Sequence, residues 1–249
     1  MPLGLVACRK YKGPGSWEID HLRVSQGTET AFQEILGEAS IALGHRGAER
    51  LVLRLPDDSP FHSLAVEMGF SPMLREKAYF RPPLDAATQG AEPGRTICRP
   101  AHESDAYRLF RLYCLAVPAA VRQMEAMTIG DWGGLGDSGH LKLERRWVQV
   151  SGEQITSVLT LVRGSGRRRL LEVLTNPQNP DDITPLLREA VATEGKRSTL
   201  VALLPEYLWT NAVERVMEAQ AFQEGALFTV YVKPVMARVR RVGLMPARA

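Results

Sequence analysis

The sequence predicts an α/β fold, α+β in stricter usage: a mixed central sheet flanked by helices, built twice within one chain. Two observations lead there. Short apolar or β-branched runs alternate with stretches of helical period. In addition, "GFSPMLREKAYFRP", Gly69 to Pro82, has a partner in "AFQEGALFTVYVKP", Ala221 to Pro234; Tyr79, Arg81 and Pro82 stand as far from Phe70 as Tyr231, Lys233 and Pro234 stand from Phe222. An exact period is absent, so the copies are diverged units rather than a repeat array.

The first copy, 1–83, opens on a strand pair, "LGLVACRKYKGPGSWEIDHLRV", turning at Gly13-Pro14-Gly15. Leu5 to Cys8 look like a lipoprotein cleavage box, but no basic residue precedes them and the apolar run is too short for a signal peptide. A buried strand is expected there instead. "TAFQEILGEASIALGHRG" reads as a helix closed by Gly44 or Gly47, "ERLVLRLP" as a buried strand, "SPFHSLAVEMGF" as a helix and "REKAYFRP" as the last strand.

Residues 84–95, "LDAATQGAEPGR", are small and polar without apolar period and read as a linker. The second copy, 96–235, begins with a short strand broken at Pro100, then a helix with Ser104 as its cap and a second helix from Pro118. "DWGGLGDSGH" reads as a glycine-rich loop. Three β-rich runs, split at Ser151-Gly152 and Gly164-Ser165-Gly166, predict an antiparallel meander. "DDITPLLREAVATEG" is a helix, "STLVALLP" a buried strand, "TNAVERVMEAQAF" a helix and "GALFTVYVKPV" the final strand.

A chain of 249 residues, 45% hydrophobic and 24% charged, excludes wholesale disorder. The net charge of +3 is too small to indicate nucleic acid, and Arg238, Arg240 and Arg241 in the tail 236–249 read as a solvated basic terminus. Cys8, Cys98 and Cys114 lack metal-ligand spacing and cannot all pair within the chain, which fits a reducing, cytoplasmic setting. No uncharged run reaches the roughly 18 to 20 residues that cross a bilayer, so no membrane partner is expected.

The order strand, two helices, antiparallel strands, helix, strand, helix, strand resembles the GNAT N-acetyltransferase fold. "GFSPMLREKAYF" is similar to that superfamily's closing segment and "ICRPAHESDA" to its opening one. The resemblance covers 96–235 as a complete unit and 3–83 as a C-terminal half without counterparts of Ile97 to Val150, which is consistent with a natural start upstream of Met1. It implies acyl transfer from acyl-CoA, acetyl-CoA in the first instance, to an amine. The cofactor would lie in a splay between two parallel strands, its pyrophosphate on the N–H groups that open the following helix.

Carried over by that resemblance, the cofactor residues are Gln26, Gly27, Thr28 and Ala31 of "QGTETA" in the first copy, and Val173, Leu174 and Asn176 in the second. Glu29 stands where the family has Gly. The second loop, "TNPQNPDDITPLL", has no Gly, and Asp181 and Asp182 there favour an empty helix terminus and repel phosphate. The family's tyrosine proton donor falls on Ala65 and Met217, neither of which can donate, leaving Tyr113 and Tyr207 as substitutes or as packing. Candidate bases are Glu172, Asp20 and His21. Trp132 is expected to line a substrate loop or to anchor it.

Two functions are therefore compatible with the sequence: an acyltransferase acting on a small-molecule amine, and a non-catalytic relative used for ligand binding or dimerisation. An isolated half-unit would expose a sheet edge and an apolar face, so it is expected to pack on the second unit or to pair with another chain as a homodimer.

Overall fold

The computed structural model describes residues 4–24, 29–83, 98–133, 143–164 and 166–235. In the first half, strands β1 (Gly4–Lys10) and β2 (Ser16–Val24) form a hairpin, followed by helix α1 (Glu29–His45), β3 (Arg50–Pro56), α2 (His62–Glu67) and β4 (Ser71–Arg81). The second half runs β5 (Cys98–Pro100), α3 (Ala106–Ala116), α4 (Ala119–Glu125), a short α5 (Gly130–Gly133), the meander β6 (Leu143–Ser151), β7 (Gln154–Arg163) and β8 (Arg168–Thr175), then α6 (Thr184–Glu194), β9 (Thr199–Pro205), α7 (Asn211–Ala219) and β10 (Gln223–Pro234).

All these strands join one sheet in the order β1-β2-β3-β10-β4-β9-β8-β7-β6-β5. The halves thus exchange their closing strands: β10 lies beside β3 of the first half, and β4 beside β9 of the second. The exchange keeps register, since Arg81 opposes Leu200 just as its equivalent Lys233 opposes Leu51, and Glu76 opposes Pro205 just as Phe228 opposes Pro56. At the centre, where β4 meets β10, Glu76 faces Phe228, its own equivalent.

The exchange explains the matched ends of the two copies. Tyr79, from the first half, is buried in the core under α6 and α7, whereas Tyr231, from the second, is buried in the core under α1. His62 fixes Tyr231 through a 2.8 Å hydrogen bond to its hydroxyl. Arg81, only 1% exposed, donates from Nε to the Gln220 carbonyl at 2.9 Å and from Nη1 to the Gly195 carbonyl at 3.0 Å. Those carbonyls end α7 and α6, so two negative helix termini surround the cation.

Strand alternation gives the sheet two distinct faces. On one, Leu51, Leu53 and Leu55 pack under α1, and Leu159, Leu161, Leu171, Leu200 and Ala202 under α6 and α7. On the other, Val52, Leu74, Val230 and Val232 join Val148, Val158 and Leu174 beneath α3 and α4. One helix pair therefore roofs strands from both halves.

Some local expectations are corrected. The segment expected as a buried strand is β1, the sheet's edge strand, with Leu5 63% exposed; an edge strand has neighbours on one side only. Ser104 does not cap α3. Asp105 accepts from the His102 N–H at 2.9 Å and holds Arg99 at 2.7 and 2.8 Å, and Arg99 in turn keeps the Asp105 carboxyl below its usual range. Gly130–Gly133, expected within a loop, forms a helical turn on which Asp131 accepts from the Thr128 N–H. Gly47, with φ of +83°, is the glycine that ends α1.

Candidate functional site

Both parallel ladders stop after four pairs, Ser16–Ile19 against Arg50–Leu53 and Arg168–Leu171 against Thr199–Ala202. Beyond them the strands part, so each half carries a splay. Asp20 and Glu172 are the first residues past the last pair on their strands and are structural equivalents.

A cavity of about 340 Å³ lies between the sheet and the α3–α5 roof, at the splay between β8 and β9. Glu172, Val173 and Leu174 line it from β8, Leu203 and Pro205 from β9, and Tyr207 follows directly. Arg146, Val158 and Thr160 continue it along β6 and β7, while Tyr113 and Trp132 close the roof. From the first half come Tyr11 and Lys12 of the β1–β2 turn, with Glu18, Arg54 and Glu76.

Close approach seats that turn. A Cβ on Gly13, whose φ is +74°, would stand 1.8 Å from the Glu125 carbonyl oxygen, so only glycine allows the turn to reach α4. Arg50 joins the same point, donating to the Met124 carbonyl at 2.9 Å and the Pro14 carbonyl at 3.0 Å.

The first-half splay is plugged by charge. Arg54 bonds both Glu18 and Glu76, the latter at 2.5 Å, and Arg9 holds Glu18 at 2.7 Å and Asp20 at 3.2 Å. At the equivalents of Glu18 and Arg54 the second half has Leu170 and Leu203, and its splay stays open. Lys12 reaches Glu125 at 3.8 Å. Burial opposes its charge, but Glu172 and Glu125 outweigh burial and hold its ammonium above the ordinary lysine value.

Of the predicted bases, Glu172 lies in the cavity with no ion-pair partner within 4 Å among the described residues. Asp20 and His21 are exposed on β2, side by side at 3.8 Å, and neither lines the cavity. Val173 and Leu174 line it, while Asn176 sits just beyond. Ala31 is buried in the first turn of α1; Gln26, Gly27 and Thr28 lie outside the described residues. Ala65 and Met217 are core residues. Sequence reasoning missed Lys12, Glu18, Arg54, Glu76, Glu125 and Arg146. Charges interrupting apolar strand runs, such as Arg54 within "LVLRLP", were the available signal.

No protein-family model matches this chain. No curated protein matches its sequence. Among solved structures, a functionally unknown conserved protein from Staphylococcus epidermidis is similar over 89% of this chain and 85% of its own, at 8% identity and a TM-score of 0.60. A tandem GNAT protein from the clavulanic acid biosynthesis pathway is similar over 94% of this chain and 79% of its own, at 12% identity and a TM-score of 0.52. The fold is that of the GNAT N-acyltransferases. Saccharomyces cerevisiae N-myristoyltransferase, solved with bound myristoyl-CoA and inhibitors, is similar over 93% of this chain and 64% of its own, at 11% identity and a TM-score of 0.52.

A GNAT fold raises the question of where a CoA pyrophosphate would sit, and the approach to α6 does not fit one. Several of its amides are already used: Asn176 N–H donates to the Thr156 carbonyl at 2.8 Å, Asn179 N–H to the Asn176 carbonyl at 3.0 Å and Asp182 N–H to the Asn179 carbonyl at 3.2 Å. The Asn176 side chain accepts from the Gln178 N–H at 3.0 Å. Pro180 and Pro185 have no N–H, and Asp181 and Asp182 add negative charge.

Burial pushes the Tyr113 and Tyr207 phenols well above the ordinary value of 10.0, and nearby Glu125 adds to it, so both stay neutral in the folded chain. A group that holds its proton more tightly when folded stabilises the fold below its unfolded pKa and loses that effect as pH rises through the folded one. Urea midpoints are therefore expected to stay level from about pH 7 to 9 and to fall above about pH 10. A Tyr113→Phe, Tyr207→Phe double variant should show a shallower fall.

Proposed function

We propose that this protein is an N-acyltransferase that moves an acyl group from a thioester donor to a small amine within the cavity. The observation that carries this is the convergence, at the open β8–β9 splay, of an unpaired carboxylate with two neutral phenols. Glu172 takes the proton that the acceptor's ammonium must lose, directly or through water. Tyr207, directly after β9, is the phenol that supplies a proton on the donor side of the splay; Tyr113 faces the acceptor side. Lys12 keeps Glu172 in company with positive charge, and α3 and α4 cover one side of the cavity. Asp20, held by Arg9, and exposed His21 take no part in this reading.

Acetyl-CoA is the first donor to test, since the GNAT fold and the neighbour solved with myristoyl-CoA support a CoA thioester. The poor fit at α6 favours one other reading, a module that binds a small ligand without acylating it. Following thiol release from acetyl-CoA by the purified chain, across a panel of small amines, separates the two. Amine-dependent release abolished by Glu172→Gln is expected; ligand binding without any thiol release would overturn the proposal.

A further inference from the structure

The cavity carries two charges, Arg146 and Glu172, that form no ion pair within 4 Å among the described residues, and their placement defines the acceptor. Resting on the acyltransferase reading, we propose that the acceptor is a small amino acid or related aminocarboxylate, its carboxylate held by Arg146 and its amine presented to Glu172. Arg146 opposes Thr160 across β6 and β7, and Thr160 opposes Glu172 across β7 and β8. The three residues form one row on the cavity face. Two strand spacings of roughly 4.8 Å set the outer Cα atoms about 10 Å apart, with the smaller Thr160 between them. Two charged side chains rising from that row leave room for a ligand with opposite charges at its two ends.

The other buried carboxylates of the cavity are matched internally. Glu18 has Arg9 and Arg54, Glu76 has Arg54, and Glu125 has Lys12. Arg146 and Glu172 form no ion pair within 4 Å among the described residues. The guanidinium is nonetheless positioned: Nε donates to Thr160 Oγ1 at 3.3 Å, Nη1 to the Trp132 carbonyl at 3.2 Å, and the group lies 5.6 Å from the centre of the Trp132 ring. Its Nη2 has no hydrogen-bond partner among the described residues. Burial lowers its pKa, so an anion there would relieve a cost already present in the fold.

Independent support comes from the roof. Trp132 Nε1 is buried, lines the cavity and has no hydrogen-bond partner among the described residues; Tyr113 also lines it, its phenol close to the Glu125 carboxylate. The Tyr113 and Trp132 rings pack at 5.7 Å, which fixes the indole. An unpaired indole donor beside a guanidinium with no ion-pair partner describes a pocket for an acceptor-rich group such as a carboxylate. A volume near 340 Å³ suits a small molecule.

The test compares three probe sets on the full chain with acetyl-CoA: free L-amino acids with β-alanine, the matching amino acid amides, and simple alkylamines. The best amino acid should exceed its own amide by about 100-fold in kcat/KM, the discrimination expected when a charge-assisted pair is lost. Arg146→Gln should remove that advantage through KM, bringing the amino acid to amide ratio of kcat/KM close to one, and Arg146→Lys should restore part of it. Equal use of amides and amino acids, or an amino acid preference untouched by Arg146→Gln, would overturn the inference and leave acyl transfer standing. Should no amine be acylated, calorimetry with the same amino acids decides separately. Binding lost in Arg146→Gln would keep the carboxylate site and remove the acyltransferase reading, whereas no binding would remove both.

Discussion

Glu172→Gln is expected to lower kcat/KM for acceptor acylation by about 10²–10⁴-fold, the usual contribution of a positioned general base. Stability should change by no more than about 0.5 kcal/mol, because the side chain is exposed to the cavity and makes no ion pair within 4 Å. Gln keeps the size and one acceptor of Glu but cannot hold the ammonium proton. The equivalent change Asp20→Asn, outside the cavity, should leave kcat/KM within about twofold. Steady-state kinetics of both variants, with urea unfolding as the stability control, checks the pair of expectations. Equal loss in both would assign their effect to the fold rather than to proton transfer.

The largest stability effect should come from Arg81. Arg81→Ala leaves the Gly195 and Gln220 carbonyls without their buried donor and opens space where the exchanged strand meets α6 and α7. Together these should cost about 3 to 5 kcal/mol. Arg81→Lys should recover only part, since one ammonium cannot reproduce the planar fork that serves two helix ends. Lys233, the equivalent residue, lies 5.5 Å from the Phe70 ring centre and is half-buried, so Lys233→Ala should cost about 1 kcal/mol or less. Urea denaturation of the three variants measures the difference directly.

The unequal roles of Arg81 and Lys233 show how far the sequence could be read. Element order, both hairpin turns and the two copies follow from local rules: glycine at turns, apolar period along strands and helices, and the repeated spacing to Tyr79 and Tyr231. The exchange of β4 and β10 does not follow. The two closing segments are similar to each other, and each takes the equivalent register on the other half's strand, β10 on β3 and β4 on β9. In the exchanged form, strands of both halves lie beneath one shared helix pair.

For the site, Glu172 was legible because it occupies a defined place on a central strand. Arg146 and Lys12 were not, because a charged residue on a strand or in a turn is ordinarily solvated; only tertiary structure puts the β1–β2 turn against α4 and Arg146 beneath Trp132. Tyr113 and Tyr207 could be named as phenols able to replace the missing tyrosine, but their shared cavity depends on contacts between segments almost a hundred residues apart.

Calorimetric titration of acetyl-CoA into the wild-type chain and into Leu203→Trp tests the account most directly, because Leu203 lines the opening between β8 and β9 and a larger side chain would fill it. Binding by the wild type that weakens at least about 10-fold in Leu203→Trp, with urea stability retained, is the predicted result. Absence of heat up to millimolar ligand, or equal binding by both proteins, would contradict entry of the acyl donor through this splay.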